Sequence, residues 1–372
     1  MKKILSLVII LSIICITLGN VSLITYAEDS ATVTYNDVVY TKITTSEEFN
    51  NISANPTGNY AVMTDNISLT TSLDTFGGTL IGLSDDGSKE QIRTITVNNT
   101  NRSGLFEKFE NTNNDFVTIK SIKVTGNISL TGTNGYFSGF VTDTSMMLNT
   151  TFENCINDVD ISVTSTGSSY ASAGFVGVTT NRGAAKLNFR NCKNTGDINV
   201  IWHAGGYVGV VYYAVSFENC VNSGNISSSN SIRYAGAFIG NDSGKTSEIT
   251  FDKCYNTGAI DEKSYIGSDD FSNPVKITNC YNADADGYII RTNNNAAEVR
   301  FENCYNASAA NKFYESVLNA STTNCYYKST STGEEVNGIT PLSEDDMKNK
   351  DKFIGFDFDE IWIMGESHPE FN

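Results

Sequence analysis

One phrase recurs seven times between residues 152 and 327: an aromatic or apolar residue, a Cys three positions later, then usually an Asn two positions beyond. The copies are Phe152-Glu-Asn-Cys155-Ile-Asn157, Phe189-Arg-Asn-Cys192-Lys-Asn194, Phe217-Glu-Asn-Cys220-Val-Asn222, Phe251-Asp-Lys-Cys254-Tyr-Asn256, Ile277-Thr-Asn-Cys280-Tyr-Asn282, Phe301-Glu-Asn-Cys304-Tyr-Asn306 and the degenerate Thr322-Thr-Asn-Cys325-Tyr-Tyr327. Such self-similarity marks stacked units that cannot bury their apolar faces singly. The Cys-to-Cys intervals are 37, 28, 34, 26, 24 and 21. The shortest fit a bare coil of three short strands, so the longer units are expected to throw loops outward, around Ser165 to Ser172, Thr179 to Lys186 and Asn241 to Glu248.

The spacing within a unit predicts a corner. Val215 and Phe217 are two apart and share one side of a strand. Phe217 and Cys220 are three apart, so both point inward only if the backbone breaks phase between them. Six of the seven residues before Cys are Asn, which tolerates left-handed backbone better than most residues. Bends are therefore expected at Asn154, Asn191, Asn219, Asn279, Asn303 and Asn324, with Lys253 the exception. A glycine-bracketed apolar patch, as in Gly174-Phe-Val-Gly177, Gly206-Tyr-Val-Gly209 and Gly236-Ala-Phe-Ile-Gly240, supplies another strand of each unit.

These features predict an all-β chain: a right-handed, single-stranded parallel β-helix of about eight to ten rungs, with an N-terminal cap and a short C-terminal helical and aromatic cap. Equivalent residues should form ladders. Cys155, Cys192, Cys220, Cys254, Cys280, Cys304 and Cys325 make one, and Asn157, Asn194, Asn222, Asn256, Asn282 and Asn306, bonding through side-chain amides, make another. Stacked at about 4.8 Å, the Cys lie beyond usual disulfide reach, so a buried reduced column is the expectation. Some disulfides, or a metal site, are the alternatives. Zinc is disfavoured because the Cys are isolated and only His203 and His368 are available. No metal and no cofactor is expected.

The division expected is 1–27 signal peptide, 28–94 entry and capping module, 95–330 repeats, 331–372 C-terminal cap. Lys2 and Lys3 precede an apolar run that ends at Thr25-Tyr-Ala27, the pattern of a Sec signal peptide cleaved after Ala27. A retained membrane anchor is the alternative. After cleavage no membrane association is expected, and the chain should be a secreted or cell-surface monomer. Ser46-Glu-Glu-Phe-Asn-Asn-Ile52 reads as a short helix covering the first rung. Ser343 to Lys352 reads as another, with Phe353, Phe356, Phe358 and Trp362 plugging the last rung.

With 25 basic against 42 acidic residues, net charge −17, the chain repels nucleic acid and anionic lipid. Its acidic clusters, Asp269-Asp270, Asp284-x-Asp286 and Asp357-x-Asp359-Glu360, read as solvated loops or cap, and no nucleophile has a positioned partner set. Trp202, Tyr212 and Tyr213 are the candidate aromatic contacts for a glycan.

Gly104-Leu-Phe106 and the Gly-x-Phe-Val-Gly patches resemble the GLUG motif of bacterial secreted and surface proteins. Thr45-Ser-Glu-Glu-Phe49, Gly58-Asn-Tyr-Ala-Val-Met63, Asn66-Ile-Ser-Leu69, Phe76-Gly-Gly-Thr-Leu-Ile-Gly82 and Ile95-Thr-Val97 resemble the module that precedes such repeats. Leu342-Ser-Glu-Asp-Asp-Met347, Phe356-Asp-Phe358, Trp362 and Pro369 resemble their ending. Ser138-Gly-Phe-Val-Thr142 departs by lacking the closing Gly. The resemblance implies a β-helix and an adhesin-like setting without conferring a catalytic residue. The expected function is noncatalytic binding of an extracellular ligand, a glycan or matrix protein. The alternatives are a structural envelope spacer and a polysaccharide-active lyase or hydrolase.

Overall fold

The computed structural model describes residues 31–372 except 100–103, 111–115, 132–134, 145–148, 165–170, 180–184, 230–233, 245–246, 269–271, 285, 296 and 331–336. The leader, most of the expected loops at 165–172 and 179–186, and residues 245–246 of the third lie outside these residues. Val215 and Phe217 face inward along Ala214–Glu218 while Ala214, Ser216 and Glu218 face out, the period-two pattern of a half-buried strand. Asn219 follows with φ 52°, and Cys220 again points inward. The chain then enters a second face at Val221–Asn222 and Ile226–Ser228 and turns through Tyr234–Gly236. It runs along a third face at Ile239–Asp242 and returns to the first at Ile249–Asp252. Repetition of this circuit makes a parallel β-helix.

The first face is a twelve-stranded sheet, parallel beyond its opening hairpin, and the second a thirteen-stranded sheet. Register is strict along the first face: Phe152, Phe189, Phe217, Phe251, Ile277, Phe301 and Thr322 lie directly opposite one another in turn. The coil begins earlier in the chain than the repeats do. Val38–Ile43, Asn59–Val62 and Thr79–Gly82 are already consecutive strands of the first face.

The bore is filled by two interlocking ring columns. Phe152, Phe189, Phe217 and Phe251 stack at centroid separations of 5.1, 5.1 and 4.8 Å. Phe140, Phe175, Tyr207 and Phe238, from the glycine-bracketed patches, stack at 4.8, 4.8 and 5.0 Å and meet the first column edge-on. Glycine lets these layers close: a Cβ at Gly206 would lie 2.2 Å from the Ala237 carbonyl oxygen, and one at Gly224 2.1 Å from that of Gly196.

All seven bends before Cys are left-handed, with φ between 50° and 54°. Ser121, one rung earlier, has φ 54° in the same place, before Ile122 in the Cys position. Lys253 is the residue least suited to this backbone, which costs L-residues about 1–2 kcal/mol. Lys253→Asn is therefore expected to stabilise the protein by about 1 kcal/mol, read as a raised urea midpoint. A lowered midpoint would show that the Lys side chain contributes more than the bend costs.

The ends are closed differently. At the start, Thr45 and Glu48 form a capping box on the helix Ser46–Asn50. Phe49 and Ile52 enter the bore, and Phe49 stacks on Phe106 at 6.1 Å, so this helix lids the coil. The C-terminal segment does not plug the last rung as expected. It folds as 3-10 turns, Asp346–Lys348 and Lys350–Lys352, and a hairpin of Trp362–Met364 with Pro369–Phe371. These lie along the outside of the second face, where Phe353, Phe356 and Trp362 pack on the outward rings of Tyr281, Tyr305 and Tyr326. The reason is in the repeat: the residue after Cys is Tyr from Cys254 onward but Ile, Lys or Val before it. That Tyr column leaves apolar surface on the flank rather than at the tip.

Candidate functional site

The short strands Tyr136–Ser138, Ala171–Ala173, His203–Gly205 and Tyr234–Gly236 lie side by side where the second face turns into the third. Their first residues are paired directly, so Tyr136, Ala171, His203 and Tyr234 form one outward column. The middle residues Ala204 and Ala235 point into the core, as strand alternation requires. His203 stacks on Tyr234 at 5.0 Å, and Trp202 meets the imidazole edge-on at 6.2 Å. At the other end Tyr136 and Tyr212 pack over Ala171, Val178 and Val210. The result is a half-exposed aromatic row about 14 Å long over three strand spacings.

Of the three aromatics singled out in the sequence, Trp202 and Tyr212 are half-buried parts of this row. Tyr213 is not. Its ring is fully buried and its hydroxyl meets the Thr144 hydroxyl at 2.7 Å, which makes it a core residue with no face for a ligand. The alternation explains the correction: Tyr212 points out, so its neighbour points in. His203, Tyr234 and Tyr136 were missed as members, although each stands four residues before the buried ring of the patch that follows it, Tyr207, Phe238 and Phe140. Burial pulls the His203 pKa down to about 4, so the imidazole is neutral at pH 7. It offers a flat, uncharged ring.

The two structural columns stand beside the core. Asn157 donates to the Asn194 side-chain oxygen at 2.7 Å, Asn194 to Asn222 at 2.8 Å and Asn222 to Asn256 at 2.7 Å. Asn256 then donates to Asn282 at 3.1 Å and Asn282 to Asn306 at 3.2 Å. The column is buried throughout. It runs one way, so its first acceptor, Asn157 Oδ1, lies over aliphatic Val124 without a donor, and its last amide donates to the carbonyls of Gly287 and Lys312. The seven Cys are free and buried. Cys155 Sγ donates to the Ile119 and Glu153 carbonyls at 3.4 and 3.3 Å. Burial, reinforced by neighbouring thiols, pushes Cys192 and Cys280 well up, which makes them poor nucleophiles.

Parts of two acidic clusters are otherwise engaged. Asp286 pairs with Lys263, and Asp357 Oδ1 accepts from the Asp359 and Glu360 backbone amides at 3.0 Å each. Asp269-Asp270 lies outside the described residues. Among the described residues no group of three or more His, Cys, Asp or Glu could hold a metal ion, and no helix is long and apolar enough to cross a membrane. Comparison with protein-family models, curated proteins and solved structures finds no match to this chain.

Proposed function

We propose that this chain is a noncatalytic, exported β-helix that binds an extracellular glycan through the aromatic row of Trp202, His203, Tyr234, Tyr212 and Tyr136. The observation that carries the reading is the alignment of half-exposed rings on a rigid corner. Aromatic rings offer large, flat contact area at little entropic cost, and a neutral imidazole between them keeps the surface uncharged. The strand scaffold holds the rings in place before a ligand arrives, which limits the ordering cost of binding. The resemblance to GLUG-motif surface proteins and the acidic, turn-rich composition support the extracellular setting.

A glycan and matrix-protein array on the purified protein tests this. Trp202→Ala with Tyr234→Ala is expected to weaken binding to the best array ligand at least tenfold, while the melting temperature moves by only a few degrees because neither side chain is fully buried. Undiminished affinity in the folded double variant would remove the row as the site. Breakdown of the arrayed glycan would replace binding with catalysis.

A further inference from the structure

We propose a second binding site at a different corner: a groove beside the left-handed bends that takes an extended β-linked glycan, about one sugar per rung. Ser121, Asn154, Asn191 and Asn219 occupy successive bends at the corner between the first and second faces. They line a groove of about 490 Å³, a volume in the usual range for ligand sites. The Asn amides are already aligned: Asn219 donates to Asn191 at 2.8 Å and Asn191 to Asn154 at 3.1 Å. An amide carries two N–H donors and two acceptor lone pairs, and this outer ladder uses one of each at Asn191. The remainder face the groove as a polar rail repeating at the strand spacing. Ile156 and Val221, outward residues of the second face with Lys193 between them, give it a wall of two apolar patches and one cation, Glu90 lines it too, and Ile92, 43% exposed, closes one end.

The repeat selects the ligand. Strands stack at about 4.8 Å, and an extended β-1,4-linked pyranose chain advances by about one such spacing per sugar, with alternate sugars turned over so that like edges recur every two rungs. An extended peptide presents same-side groups every ~6.6 Å and falls out of step within two rungs. Pyranose rings also offer both hydroxyls for the amides and C–H faces for Ile156 and Val221. The molecule itself shows that a chain can lie along this flank. The column of Ile156, Lys193 and Val221 continues as Tyr255, Tyr281 and Tyr305, and there the C-terminal segment is seated, ending with Phe371 at 5.7 Å from Tyr255. The groove is the uncovered continuation of that channel. It shares no residue with the aromatic row, so either site can fail without the other.

The test is titration of the purified protein with β-1,4-linked glucose and N-acetylglucosamine oligomers of increasing length. Calorimetry gives affinity, and NMR follows the side-chain amides of Asn154, Asn191 and Asn219. Affinity is expected to rise at least tenfold from dimer to tetramer and then level off, with those amide signals moving. Asn191→Gly with Asn219→Gly keeps the left-handed bends accessible and removes the amides, so it should lose at least tenfold, while Leu318→Ala, at an exposed residue outside both sites, leaves this affinity unchanged. Should the glycine variant not fold, Val221→Arg blocks the wall from outside and is expected to give the same loss. Absence of binding, affinity independent of length, or wild-type affinity in a folded groove variant would each overturn the proposal. So would displacement of the amide signals by an extended peptide but not by any oligomer.

Discussion

Phe217→Ala is expected to lower the unfolding free energy by about 3–5 kcal/mol, the largest loss from a single truncation in the bore. The ring is 1% exposed. It stacks on Phe189 at 5.1 Å and Phe251 at 4.8 Å, and meets the edges of Tyr207 and Phe238 at 5.5 and 5.3 Å. Neighbouring rungs are hydrogen-bonded above and below, so they cannot collapse into the space left behind, and the cavity term adds to the lost burial. Because each rung contacts mainly its neighbours, the damage should be local. Hydrogen exchange should show protection falling first in strands 186–190, 214–218 and 249–252, with residues 59–82 little changed. A urea-derived loss below about 1.5 kcal/mol would mean that the columns do not pack as described.

Asn222→Ala comes next, at about 2–4 kcal/mol. Asn222 accepts from Asn194, donates to Asn256 and also donates to the Gly224 carbonyl at 2.9 Å, all while fully buried. Removing it leaves the Asn256 side-chain oxygen without its ladder donor, in a place water does not reach. An apolar side chain is not itself excluded from the column. Ile67, Ile95 and Val124 occupy it in three earlier rungs, and of these only Val124 borders an amide, the Asn157 oxygen that has no donor. The cost comes from interrupting a network, since a partly satisfied one is worse than none. Ser223→Ala, altering an exposed neighbour, is the control. Equal losses in the two variants would show that the ladder contributes little.

Much of this architecture could be read from residue spacing. A Phe-to-Cys separation of three forces a phase break, and φ values from 50° to 54° stand at the six Asn so identified and also at Lys253, named as the exception. The inner Asn ladder follows from the same count, because Asn two places after Cys returns to the inward side. The bend before Ile122 was hidden because Ser121 and Ile122 preserve its geometry without its letters. The outer amide ladder was hidden because Asn at the bends was already accounted for by backbone conformation. Position along a flank rather than at a tip is a tertiary choice. It was written only in the change to Tyr after Cys254, and local signals in the C-terminal segment do not carry it. Of the aromatic candidates, Tyr212 and Tyr213 differ by one residue and hence by one face. Sequence alone left the phase of that strand open, while the paired strands around it settle which ring is outside.

The one-way run of Asn side chains gives the coil the valence of a directional polymer. Every interior unit, whether the 28 residues from Cys192 to Cys220 or the 24 from Cys280 to Cys304, presents an acceptor to one neighbour and a donor to the next. Units of unequal length are therefore interchangeable at their junctions. Unequal recombination among the repeats before Cys254 would copy or delete one and still leave every Asn junction matched, changing the protein's reach by one strand spacing without disturbing the Tyr column that seats the C-terminal segment. Along this ladder a particular neighbour matters at the two ends of the run. These are Asn157 above its aliphatic floor and Asn306 beneath the carbonyls that finish it.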